Sequence, residues 1–239
     1  MYELKGYHLP QRRHTTHEQG WVGGIGYRKG YCKGEHWGTY STRNHDEPTA
    51  DNAYGYHYDN VMVLLETLED FCRTTFPLVY EEREQFIQLY ELDSITDVST
   101  SFLSSFLLHL FYPQALTSLL LFQVSPHAIF SHNFRGVPHF DYDVGYAMGI
   151  WLLHHSSGCP YNDERCAPHW YFYLPQHHLA VKLKHGTVIV WNSAEVAHCT
   201  IHDQVFPGCK VTALCMVTQI QKTYARVVWR IKHGEKLVF

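Results

Sequence analysis

The chain lacks any stretch long and apolar enough to cross a membrane as a helix. Its longest apolar run, residues 116–124, is strand-sized and interrupted by Thr117, Ser118 and Gln123. The opening Met1-Tyr2-Glu3-Leu4-Lys5-Gly6 has none of the apolar core of a signal peptide. Both absences predict an intracellular protein without a membrane partner, its 7 cysteines kept as thiols and not paired in a disulfide framework. The signatures of several common chemistries are missing too. The glycines between Gly20 and Gly34 form no phosphate loop, because no strand leads into them and no Lys-Ser/Thr and helix follow. There is no G-x-S-x-G elbow for a nucleophilic serine. Cys159, Cys166 and His169, with His154 and His155 nearby, are spaced more loosely than the cysteine pairs of structural zinc sites, and so are Cys32, His36 and His45. No internal repeat occurs. Charge of one sign is scarce as well. The net charge is −4, and residues 58–98 hold ten acids against two arginines. The basic face expected of a nucleic-acid enzyme shows only locally, in Lys222, Arg226, Arg230, Lys232 and Lys236.

What is present is enough for one domain with a full core: 239 residues, 45% of them hydrophobic. Residues 1–57, rich in Gly, Tyr and His, read as an extension of loops and short strands draped over that core. Residues 58–112 read as covering helices. Val61, Leu64, Leu65, Leu68 and Phe71 recur at helical spacing after Asp59 or Asn60 as N-cap, and Pro77 stops the run. A second helix is expected from about residue 79 to 92, while 102–111 is helix or strand. From Pro113 to about 220 strands dominate, with eight candidates at 119–124, 128–134, 138–141, 149–154, 169–174, 180–183, 187–191 and 210–219. The expected fold is α+β, a double-stranded β-helix (jelly roll) core with covering helices, followed by a basic segment at 221–239.

Within the core lies His139-Phe140-Asp141 and, after a gap of 56 residues, His198. Residues two apart on a strand point to the same side, so His139 and Asp141 can grip one metal from one strand. A second histidine must then arrive from a strand folded back alongside, which needs a long excursion. Two imidazoles and one carboxylate on one face suit iron(II) and leave the opposite face open. The competing reading is an ordinary polar pair and an unrelated turn histidine.

The order of parts around these residues resembles the iron(II)/2-oxoglutarate dioxygenases over residues 118–220. Lys184-His185-Gly186 turns into the apolar run 187–191, His198 follows, and Lys210 opens the next apolar run. Together with Phe172-Tyr173-Leu174-Pro175, that passage is similar to the TET/JBP group of nucleic-acid dioxygenases. The resemblance implies Fe(II) held by His139, Asp141 and His198, with 2-oxoglutarate and dioxygen as partners and ascorbate as a reductant for the iron. It implies that Lys210 anchors the far carboxylate of 2-oxoglutarate as a point charge, where that group usually places the planar fork of arginine. Thr212 shares the strand face of Lys210 and could add a hydrogen bond. Asn133 and Arg135 precede the motif with matching parity and are candidates for the near carboxylate or the substrate. Asp143, Tyr142 and Tyr146 flank it and are candidates for substrate contact, with Asp143 equally suited to capping a loop.

The expected activity is hydroxylation of a C–H bond. The resemblance points to a methylated pyrimidine base of DNA, flipped out of the stack against aromatics such as Tyr142, Tyr146, Trp151, His155 or Trp170. A protein or small-molecule hydroxylase is the alternative substrate class, and a non-catalytic cupin-like binding protein the alternative to an enzyme. The location would be nuclear if DNA is the substrate and cytoplasmic otherwise. Oligomeric state has no signature here.

Overall fold

The computed structural model describes residues 17–29, 37–39, 63–92, 125–155, 170–202 and 211–235. The chain divides into two compact units. The first comprises Met1–Tyr7, Ile25–His127 and Gln219–Phe239. Its described part is mainly helical. Residues 63–75 form a helix (α1), followed by α2 (Pro77–Leu89) and, much later, α3 (Lys222–Lys232). Pro77 is not only a stop: it occupies the first turn of α2. One cause serves both ends, since proline has no N–H to continue a helix and a backbone angle ready to begin one. Leu65, Leu68 and Cys72 of α1 and Tyr80 and Ile87 of α2 are buried.

Two charged groups are buried with them. Glu69 and Arg83, each 2% exposed, make a two-pronged pair at 2.9 and 3.2 Å. The Ser125 amide also donates to Glu69, and the Ser125 hydroxyl donates to the Gln219 carbonyl at 2.9 Å. Helix α3 stands where the sequence suggested only a basic segment. Tyr224, Ala225, Val227 and Val228 form its buried side, and Tyr224 stacks on Tyr27 with ring centroids 5.9 Å apart.

The second unit, His8–Gly24 with Ala128–Thr218, is built of strands. These are β1 (His17–Lys29, whose later residues belong to the first unit and pair with β2, Trp37–Thr39), β3 (His127–Gly136), β4 (Ala147–His155), β5 (Trp170–Leu174), β6 (Leu179–Lys182), β7 (Thr187–Trp191), β8 (Cys199–His202) and β9 (Val211–Gln219). One sheet runs β1-β3-β9-β4-β7 and the other β6-β5-β8. β4 pairs antiparallel with β7 and β9, and β5 with β6 and β8. The core lies between the sheets. Trp151 and Leu153 of β4, Trp191 of β7 and Ala213 of β9 pack against Trp170 and Phe172 of β5. Gly149 makes room for the indoles, since a Cβ there would stand 3.0 Å from the Trp151 ring and 3.3 Å from Trp191.

Several expected elements change. The glycine-rich stretch from Gly20 belongs to a 13-residue strand, β1. Gly20 itself has φ +86, and a Cβ there would lie 2.3 Å from the Asn133 carbonyl oxygen. Only glycine allows that approach. Residues 138–141 are not a strand; an isolated antiparallel bridge joins His139 to His198. Pro138 has no N–H to offer a ladder, which limits pairing there to one residue. The short strand β8 had no expectation at all. The candidates at 102–111 and 119–124 and the N-cap at Asp59 or Asn60 lie outside the described residues.

Candidate metal centre

The bridge between His139 and His198 is the foundation of the site. Each residue's amide donates to the other's carbonyl, at 3.0 and 2.9 Å, so both side chains leave the same face of one antiparallel pair. Their rings stand 4.7 Å apart. The local chain then orients each ring. Nδ1 of His139 lies 2.9 Å from the Val137 carbonyl, and Nδ1 of His198 lies 3.0 Å from the Val196 carbonyl. A carbonyl can only accept, so Nδ1 carries a proton in both rings, and Nε2 is the nitrogen that the neutral imidazole offers to a metal. This is how metal-binding histidines are commonly held, with the outer nitrogen fixing the tautomer of the inner one.

Asp141 completes the set. Its carboxylate lies 3.2 Å from Nε2 of His198 and 3.7 Å from Nε2 of His139. All three ligand atoms fall within 4.8 Å of one another. Ligands at right angles around an ion with bonds of ~2.1 Å stand roughly 3 Å apart, so the group can close around a single metal. The donor set, two neutral imidazoles and a carboxylate, is the facial arrangement suited to iron(II). Among the described residues, this is the cluster able to hold a metal.

Around the ligands the site is graded from dry to open. His198 is 5% exposed and packs against Phe172 at 5.7 Å and Trp191 at 5.3 Å between ring centroids. The aromatic core thus seals the side from which His198 comes. The side chains of His139 and Asp141 are 21% and 31% exposed, so access is from their side. The Asp141 amide donates to the Ser193 carbonyl at 2.9 Å. Asp143 is buried beneath, accepting the Ser193 hydroxyl at 2.7 Å. Burial, and then the neighbouring Asp141 carboxylate, push the Asp143 carboxyl up to about 7, against the pull of the Ser193 bond and His198.

The other candidates are scattered. Asn133 has φ 49, which breaks the strand alternation that was to align it and Arg135 with His139. Its Oδ1 accepts the Ala213 amide at 2.8 Å and so ties β3 to β9. Arg135 and Tyr142 are exposed, and Tyr146 is half-buried. Thr212 is half-buried on β9, opposite His154 on β4. Trp151 and Trp170, considered as stacking surfaces for a base, are core residues at 2% and 4% exposure. Lys210 lies outside the described residues, as do Cys159, Cys166, His169, Cys32, His36 and His45, and the His155 side chain. Lys184-His185-Gly186 is the turn into β7; Gly186 takes φ +79, and the His185 ring and the Gly186 amide bond the Leu153 and Trp151 carbonyls of β4.

Sequence reasoning missed Ser193 and the Phe172–Trp191 wall. Ser193 has no motif to betray it, although Asn192 before it is a turn-forming residue whose carbonyl accepts the Glu195 and Val196 amides.

None of the curated proteins compared with the chain matches it. A family model does, over residues 5–203, a span that contains all three candidate ligands and ends before β9. With that match and a metal-ready His-Asp-His cluster in one unit, the chain belongs to the Tet-like 2OG-Fe(II) oxygenase superfamily and is a 2-oxoglutarate- and Fe(II)-dependent dioxygenase.

Proposed function

We propose that this dioxygenase hydroxylates a methylated pyrimidine base of DNA, using His139, Asp141 and His198 as its iron ligands. The observation that carries the iron-site part of the reading is the ligand geometry, in which two Nε2 atoms and one carboxylate converge while both Nδ1 atoms are held by backbone carbonyls; the base as substrate is drawn from the family. Dioxygen would be the oxidant: one of its oxygen atoms enters succinate as 2-oxoglutarate loses carbon dioxide, the other enters the substrate C–H bond, and Fe(II) held by the three side chains would supply that chemistry. The chain's own residues do the rest. The reciprocal backbone bonds fix the two imidazoles, Phe172 and Trp191 keep water from the His198 side, and the more exposed His139–Asp141 side receives the reactants. Lys210 is our candidate for the far carboxylate of 2-oxoglutarate, with Thr212 beside it. Tyr142, 58% exposed next to Asp141, is suited to stacking on a base.

Two further observations support this reading. The two antiparallel sheets with aromatics packed between them are the arrangement a double-stranded β-helix requires. Helix α3 carries Lys222, Arg226, Arg230 and Lys232 and no acid within its length, the local basic character that contacts to phosphate use, with Arg230 paired to Glu235 and Lys232 bonded to the Glu91 carbonyl. A nuclear location follows if DNA is the substrate.

The test is aerobic turnover with Fe(II), 2-oxoglutarate and ascorbate, offering duplex and single-stranded DNA with or without 5-methylcytosine. Succinate release coupled to a hydroxylated base is expected with methylated DNA, and not with His139→Ala. Turnover indifferent to DNA but coupled to a peptide or small molecule would replace this substrate class with the other.

A further inference from the structure

Asp141 is held differently from the two histidines. His139 and His198 are locked together by two backbone bonds, whereas Asp141 lies outside any strand, two residues past that bridge. Its amide meets the carbonyl of Ser193 at 2.9 Å. The same serine has a second hold, because its hydroxyl donates to Asp143 Oδ2 at 2.7 Å. Ser193 therefore grips the ligand-bearing segment at residue 141 through its backbone and at residue 143 through its side chain. It stands in the turn that runs from β7 to His198. Asn192 secures that turn through its carbonyl, and the Gln176 side chain accepts the Ala197 amide at 2.8 Å.

We propose that Ser193 is a positioning residue for iron, clasping residues 141–143 to the turn before His198 so that the Asp141 carboxylate faces the His198 Nε2. The inference rests on the metal-site reading above. Ser193 is fully buried and Asp143 is 4% exposed, so no water competes for the bond between them. A buried hydrogen bond to a carboxyl is strong in this setting, and its loss leaves an acceptor unsatisfied. With the clasp cut at its side-chain end, residues 141–143 can swing and the carboxylate loses its fixed approach to the metal. Outer partners of this kind typically change metal affinity by about 10–100-fold.

The experiment is anaerobic titration of the metal-free protein with Co(II), following the visible bands of the bound ion, with thermal melting of each metal-free variant beside it. Ser193→Ala should weaken Co(II) binding by about 10–100-fold and alter the band shape. Asp143→Asn, which keeps an oxygen for the serine hydroxyl, should stay close to wild type. Asp143→Ala should resemble Ser193→Ala, and the double variant should be little worse than either single one, as expected when two residues act through one bond. A serine that only stabilises the fold would lower the melting temperature while leaving affinity and bands unchanged, and that result overturns the proposal. Should Ser193→Ala not fold, Asp143→Asn decides: a loss of about tenfold or more would mean that charge and not the clasp sets the affinity. If the wild type binds no Co(II), the metal reading itself fails and the clasp with it, an outcome distinguishable because it appears before any substitution is made.

Discussion

At the scale of residues, the site is made by where protons and lone pairs are held. The Val137 and Val196 carbonyls occupy the Nδ1 protons of the two histidines and leave both Nε2 atoms facing Asp141. Asp143 beneath them is a carboxyl whose burial and acidic neighbour raise it to about 7. An unfolded aspartate titrates near ~3.9. Between those values the folded protein keeps a proton that the unfolded chain has released. Stability contributed by Asp143 is therefore present at low pH and is lost as pH rises from about 4 to about 7, at no more than ~1.4 kcal/mol per pH unit. Urea unfolding of the metal-free protein across this window should show wild type losing more stability with rising pH than Asp143→Asn. Equal slopes would contradict the assignment. The H-x-D and the distant histidine were legible in the sequence as metal-ligating residue types in a fixed order, although a single His139–His198 bridge and not the expected strand brings them together. Ser193 was not, because its role arises only when a turn meets a loop 50 residues away.

At the scale of elements, the strands with clear apolar runs, β5, β7 and β9, lie where the pattern predicts them. The failures have physical causes. β1 is rich in glycine, which normally weakens a strand, yet Gly20 is required where the backbone passes Asn133. α3 alternates basic and β-branched residues, so its charge was more conspicuous than the helical recurrence of Tyr224, Val227 and Val228. Residues 138–141 kept the parity of a strand with only one bridge to support it. Helices α1 and α2 depend on a pair that no apolar pattern reveals. Glu69 and Arg83 are both buried, and removing one partner strands the other charge. Arg83→Met alone should destabilise by about 3–5 kcal/mol, while Arg83→Met with Glu69→Leu should recover most of that loss. Urea melts of the three proteins would check this. A cost below about 1 kcal/mol for the single change would show that the pair is not isolated from water.

At the scale of the whole molecule, two units share the chain, and the three candidate metal ligands all lie in the one built of strands. No helix among the described residues is long and apolar enough to cross a membrane. The family match spans residues 5–203, so it takes in the N-terminal glycine-rich region that composition alone left as an extension. The central claim is that His139, Asp141 and His198 hold Fe(II) with a face left open for 2-oxoglutarate. The most direct measurement is anaerobic addition of 2-oxoglutarate to the Fe(II)-loaded protein, watching for the visible charge-transfer band of a 2-oxoacid chelated to ferrous iron. The account predicts a band in the wild type that is absent from His139→Ala and Asp141→Ala. Iron bound without any band, or a band that survives both substitutions, would contradict it.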